Sequence, residues 1–429
     1  MVVVPSRMGQ LNKRALLARL QVMGAASRAG LAKSLGLSQP TAGKIVSEML
    51  KIGVLQEVEG DPPVNQQHRR AHGDAPGAVG RPGRIIQFDR TQMRFIAIQL
   101  GVAETSVAAL PVGVDREDRW KIQYPTPDDA QQWRQQLGKA AARVQGKQFW
   151  GVLVSVPGIV DERKGEVIFS PNLHWTEGKK LPELVQAVWH APVALVQEER
   201  ALALGHKAAD PDQEDFLLVD FGEGVGGAAI VAGKLYMHPL PMSGELGHTP
   251  ILGNTRPCGC GAVGCLETLA STTGLLQSFV AAVPNAHRSW SALVKFVAEE
   301  GLAPWLVEAL EAAAAVIAGA LNVCGLRRVV ITGSLVELPP AVFRYLAAAI
   351  ERGAMWARFG RVEIQAAPRR RMAGLVAAGI DRLVIPMTEA ERSFETLMRV
   401  QDQHGAGSKP HRTAASRRRK NRWRGDSFR

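Results

Sequence analysis

A chain of 429 residues is too long for one ordinary core, so two or three domains are the starting expectation. Hydrophobic residues make up 46%, which excludes a largely disordered chain, and four cysteines exclude a disulfide framework and point to the cytoplasm. The net charge of +12 sits at the ends: residues 1–60 carry eight Lys/Arg against three Glu, residues 409–429 carry nine against Asp426, and the stretch between is near neutral. That layout fits a middle that binds an uncharged small molecule and an end that meets nucleic acid. Residues 1–5 are too short for a secretory apolar region, and the longest apolar run, residues 312–326, contains Asn322 and follows Glu308 and Glu311. It reads as a buried helix rather than a membrane span, with Cys324 as a core residue.

In chain order, Leu16, Leu17, Leu20 and Met23 recur at helical spacing. Ser27 caps a second helix running through Leu31, Ala32 and Leu35, and Gly36 supplies a tight turn. Ser38 caps a third helix with Pro40 in its first turn, where a missing N–H costs little. Ile45, Val46, Met49 and Leu50 form its inner face, Gly53 ends it, and residues 54–58 alternate as a strand. Helix, glycine turn and helix make a helix-turn-helix. The outward residues Gln39, Thr41, Lys44 and Ser47, with Lys51 at the end, suit a major groove, where Gln pairs with adenine edges and Lys meets guanine or phosphate. A small helical protein-interaction bundle would share the apolar pattern. A second strand, Ile85–Phe88, preceded by Gly80-Arg-Pro-Gly-Arg84, completes a wing, with Arg81 and Arg84 as candidates for phosphate or minor-groove contact. Residues 60–79, rich in Pro, Gly, His and Gln, read as an enlarged wing tip or a linker. Residues 1–90 are thus expected to form a DNA reader.

From about Gln92 the pattern changes to alternating strands and helices. Strands are expected over residues 95–100, 150–156, 193–196, 216–219 and 228–231, and helices over 181–190 and 201–208, which is α/β layering. The sharpest signal is Cys258-Gly-Cys260-Gly-Ala-Val-Gly-Cys265, three thiols in eight residues, with His248 upstream. Three Cys and one His match a closed tetrahedral zinc site, and the intervening glycines let the backbone fold around the metal.

Gly244-Glu-Leu-Gly-His248 followed by Cys258-Gly-Cys-Gly-Ala-Val-Gly-Cys-Leu-Glu267 resembles the signature of the ROK family of repressors, open reading frames and sugar kinases. Ser155-Val-Pro-Gly158 and Pro171-Asn172-Leu-His-Trp175 are similar to its sugar-side loops. Gln197-Glu-Glu-Arg200 stands at its catalytic segment, and residues 220–227 and 331–334 resemble its phosphate and adenosine loops. A winged helix ending in Gly-Arg-Pro is similar to that of the family's repressor branch. The resemblance implies a two-lobed, actin-like ATPase fold behind the reader, with a sugar in the cleft held by Asn172, Glu198, Glu245, His248 and Glu267. His248 has two nitrogens, one for the metal and one for the sugar, so structural zinc would brace the pocket wall.

Kinase members carry Asp-x-Gly-x-Thr on the first strand; this chain reads Gln99-Leu-Gly101-Val-Ala103. Glu223 replaces a small hydroxyl residue in the second phosphate loop, Glu198 replaces the Asp base, and Arg200 replaces a small amide. Phosphoryl transfer needs a phosphate cradle, a metal site and a well-placed base, so these changes argue against an enzyme. The reading is a cytoplasmic, sugar-responsive repressor, released by free sugar, that binds an inverted-repeat operator as a homodimer or higher homo-oligomer and has no membrane partner. An ATP-dependent sugar kinase with a DNA-binding appendage is the alternative, and a repressor answering to a protein partner is a third. Residues 91–388 are expected to form the sensor, closing with a helix over 372–383 whose Gly374 and Gly379 permit close packing. Residues 389–429 would add a further helix, over 389–400, and a disordered basic arm centred on residues 417–424, which either solubilises the chain or binds phosphates with Trp423.

Overall fold

The computed structural model describes residues 5–59, 84–113, 121–144, 149–210, 213–236 and 243–386. The readings of Arg81, the wing tip, the helix over 389–400 and the basic arm lie outside the described residues. Near the N-terminus, the helix Pro5–Met23 leads into a short strand, Ala25–Ser27, then helices Arg28–Ser34 and Gln39–Lys51. Ser27 accepts from Gly30 N and Ser38 from Thr41 N, so both helices start where a side-chain oxygen satisfies a free amide. Ala42, Ile45, Val46 and Met49 are buried, and Leu50 is only partly so. The strands Leu55–Val58 and Ile85–Phe88 pair antiparallel, and Ala25–Ser27 joins the other edge of Ile85–Phe88. That third strand was not anticipated: three residues are too few to show alternation, and Ser27 serves both as strand end and as cap. The result is a winged helix-turn-helix.

Two five-stranded sheets follow with the same topology. In the first, Met93–Leu100, Glu104–Pro111 and Ile122–Pro125 form an antiparallel meander, and Gly151–Val156 and Val193–Gln197 add in parallel to the free edge of Met93–Leu100. In the second, Phe216–Phe221, Val225–Val231 and Lys234–Leu235 make the meander, and Arg328–Gly333 and Glu363–Ala366 add in parallel. This duplication is what defines the two lobes of an actin-like fold.

Each sheet is covered by helices with apolar faces. In the first lobe Trp133, Leu137, Leu181 and Val185 pack on one sheet face. In the second, the helix Pro304–Cys324 buries Leu306, Leu310, Ile317 and Leu321 against Pro340–Gly353. It is long and apolar enough to cross a membrane by composition, but half of that span is buried in the core. Its end is not buried: Val323 is exposed and so is Cys324, contrary to the expectation that Cys324 is core. The helix terminates at Gly325, in the left-handed conformation, so its last turn leaves the packed face.

The chain returns to the first lobe through Arg371–Gly379, which continues as a single π-helical turn, Ile380–Val384. It packs tightly on the helix Glu198–Ala209, where a Cβ at Gly374 would overlap the Ala201 carbonyl oxygen and one at Gly205 would overlap that of Arg370. Glycine is required at both positions because backbone meets backbone. The same apolar cluster holds Leu375, Val376, Ala378 and Val384 together with Leu16, Leu20, Leu31, Val46 and Ile86 of the winged helix. Reader and first lobe therefore share one core, and Arg14 of the first helix pairs with Asp381 of the π-turn.

Candidate ligand cleft and metal centre

A cleft of about 410 Å³ opens where corresponding strand ends of the two lobes face each other. Asn172, Glu198, Glu245, His248 and Glu267, the five residues singled out from the sequence, all line it, as do Gln99, Ala103 and Glu223. Glu198 and Glu199 begin the helix Glu198–Ala209 rather than preceding it, so their carboxylates sit in the first turn, where unpaired amides favour negative charge. Gly244 adopts a positive φ of 100° and comes so close to Gly227 that a Cβ would overlap its carbonyl oxygen; this turn presents Glu245 to the cleft. Glu267 is held by accepting from Val225 N at 3.0 Å.

Burial pushes the Glu245 carboxyl above the usual carboxylate range, with nearby Glu267 adding to the effect. Burial and Glu198 do the same to Glu223. Glu199 is pushed well above that range by burial, then by Glu198. Two arginines that the sequence reading passed over enter from the end of the second lobe. Arg369 donates to both oxygens of Asp220, at 2.7 and 2.8 Å. Arg371, buried, donates to Gln99 Oε1 at 3.1 Å and to Glu198 Oε1. Arg200, also buried, does not line the cleft; it faces Glu162 at 3.5 Å, and Arg382 reaches the other Glu162 oxygen at 2.5 Å.

His248 joins the cleft to the cysteine loop. Its Nε2 faces Glu245 Oε2 at 3.9 Å and its Nδ1 faces Cys258 Sγ at 3.6 Å. Cys260 Sγ and Cys265 Sγ are 3.7 Å apart, and all four ligand atoms lie within 4.8 Å of one another. Ligands on a tetrahedral zinc are separated by roughly 3.5–3.8 Å, so the two shorter separations match such an ion and the donor set as a whole could hold one. Burial and the adjoining thiols push the Cys265 thiol up to about 12, a penalty that a divalent cation at the centre of the four would remove.

On the winged helix, Gln39, Lys44, Ser47 and Lys51 are exposed along the helix Gln39–Lys51, while Thr41 is half-buried and shares a 2.8 Å hydrogen bond with Ser38. Arg84 is exposed but paired with Glu57 at 2.8 Å, and Glu57 also binds Arg28 at 2.7 Å. Arg28 in turn reaches Ser47 at 3.2 Å, placing a basic residue beside the third helix that the sequence reading did not select. These two guanidiniums hold the Glu57 carboxyl below its usual range.

A three-stranded winged helix fused to a duplicated two-lobed domain, with a His/Cys3 cluster at its cleft, is the fold of a winged helix-turn-helix joined to a sugar-kinase-like domain. The chain belongs to the ROK family, whose model matches residues 95–380. It is 27% identical over 284 residues to the xylose repressor of Caldicellulosiruptor bescii, covering 62% of this chain and 65% of that protein, so the match spans just under two thirds of that relative. It is 24% identical to the DNA-binding transcriptional dual regulator NagC of Escherichia coli K12, over 65% of this chain and 67% of NagC. Among solved structures, a ROK family transcriptional regulator, a homologue of the E. coli MLC protein, superposes with a TM-score of 0.67 at 19% identity, over 90% of this chain and 99% of that one. The glucokinase of Streptomyces griseus, in complex with glucose and AMPPNP, matches with a TM-score of 0.53 at 22% identity, over 66% and 97%. These structural likenesses are of fold.

Proposed function

We propose that the chain is a cytoplasmic transcriptional repressor that reads DNA through residues 1–90 and is released when a free sugar binds the cleft of a sensor spanning 91–388, with 389–429 as an appended tail. The observation that carries the reading is the single apolar core joining the winged helix to the lobe that forms half of the cleft. Asn172, Glu198, Glu245, His248 and Glu267 hold the sugar hydroxyls, since carboxylates and imidazole accept from them without needing a charged ligand. His248, Cys258, Cys260 and Cys265 hold a structural zinc, whose contribution is to fix the cleft wall. Through its second nitrogen, His248 transmits that rigidity to the ligand side. Gln39, Thr41, Lys44, Ser47, Lys51, Arg81 and Arg84 face an inverted-repeat operator bound by a homodimer.

Phosphoryl transfer is disfavoured by the cross-link that Arg371 makes between Gln99 and Glu198, which occupies both the phosphate-loop position and the base position. Relatives named repressor support this reading, while a glucokinase of Halalkalibacterium halodurans, 27% identical over 46% of this chain and 63% of its own, supports kinase activity as the second. Thermal-shift measurement of the metal-replete protein against monosaccharides, with and without ATP, separates the two. The repressor reading expects a sugar to raise the melting temperature without ATP and to weaken operator binding. Glu245→Ala should abolish that response and leave DNA binding intact. Sugar-dependent ATP consumption would instead establish the kinase.

A further inference from the structure

We propose that the ligand of the cleft is an amino sugar: a monosaccharide whose free amino group is an ammonium at neutral pH. The inference rests on the sugar-sensing reading above and names its ligand class. Seven carboxylates and two guanidiniums line the cleft. Both guanidiniums are already engaged, Arg369 by Asp220 and Arg371 by Glu198. Glu199, Glu223, Glu245 and Glu267 are left inside without a guanidinium partner among the described residues, and Glu104 stands at the exposed rim.

A second observation is independent of charge. Gln197, only 2% exposed, lines the cleft, and its Oε1 has no donor among the described residues. Its Nε2 is directed to Glu245 Oε1 at 3.5 Å, which assigns the free end as the acceptor. Glu199 Oε2 is likewise enclosed and without a donor. Among the described residues lining the cleft, two buried acceptors, Gln197 Oε1 and Glu199 Oε2, are without a donor against one buried donor without an acceptor, Arg371 Nε, and a buried acceptor left unsatisfied is costly. A hydroxyl offers one donor and two acceptor lone pairs, whereas an ammonium offers three donors and accepts nothing. The same group offsets the mutual repulsion of the carboxylates, which a phosphate would aggravate. Acetylation of the amine would remove both advantages.

Isothermal titration of the full-length, metal-replete protein tests this. The probes are glucosamine, galactosamine, mannosamine, 3-amino-3-deoxyglucose and 6-amino-6-deoxyglucose. The controls are the parent hexoses, xylose, the N-acetyl derivatives and the hexose 6-phosphates. One amino sugar should bind at least about tenfold more tightly than its parent. Glu223→Gln, which keeps shape and removes charge, should bring that ratio toward one, and Glu199→Gln provides the same comparison if the first variant folds poorly. A parent, N-acetylated or phosphorylated sugar that binds more tightly than every amino sugar overturns the inference while leaving sugar sensing in place. No binding by any member of the panel overturns both.

Discussion

Arg371 shows how a single side chain decides what a cleft can do. It joins Gln99 to Glu198, residues that lie 272 and 173 positions away in sequence. Sequence reading identified both acceptors because each departs from a family motif, but it missed the arginine between them, since no motif surrounds it and only the return of the chain to the first lobe brings it there. Glu199 was passed over for a similar reason: next to Glu198 it resembles a solvated helix-start acid, and its enclosure depends on the close approach of Gly226. The His/Cys3 cluster was legible in advance because its residues are local, with all three thiols in one loop. At this scale the zinc assignment makes a sharp prediction. The native chain should carry one zinc per molecule by elemental analysis, and Cys258→Ser well under one. Because the second lobe has its own apolar core, the variant should lose part of its thermal stability and its sugar response rather than unfold outright. A native protein that remains metal-free in excess zinc would refute the site.

Among the elements, the helix Gln39–Lys51 was readable down to its cap because capping, proline placement and the 3.6-residue apolar repeat all act within one segment. The strands Glu104–Pro111 and Ile122–Pro125, by contrast, escaped notice: Thr105 and Ser106 interrupt the apolar pattern of the first while being buried, and the second is four residues long with only Ile122 buried. The duplication of the two sheets is equally invisible in the residues, since it is a repeat of topology. For DNA binding the helix predicts distinct effects at two exposed positions. Lys44→Ala should weaken binding to all sequences alike and lower its salt dependence, as loss of a phosphate contact does. Gln39→Ala should change the preferred base, with a loss of discrimination of about 1–3 kcal/mol at one position, measured by competition among operator variants. Equal effects of the two substitutions on every sequence would remove this helix from the groove. On the described part of the wing, Arg84 shares Glu57 with Arg28, so contact with a phosphate would have to compete with that pairing.

In the whole molecule, one helix and its continuing π-turn run from the cleft to the winged helix. The helix that begins with Arg371 in the cleft ends in the turn whose Asp381 pairs with Arg14 of the winged helix. Under the proposed function, a ligand that competes for Glu198 would loosen the first end, while the second is paired with the winged helix. The Arg14–Asp381 pair is about half-exposed and worth at most about 1 kcal/mol to folding, so Arg14→Ala should leave the melting temperature nearly unchanged. It should nevertheless reduce the factor by which sugar alters operator affinity, measured by DNA titration at zero and saturating sugar; an unchanged factor would exclude this connection. Such a connection runs both ways. Whatever factor the sugar imposes on the affinity for operator, the operator must impose on the affinity for sugar. A molecule on its operator and one free in the cell would then read the same sugar concentration differently, so the regulated gene itself would help set the threshold at which it is released.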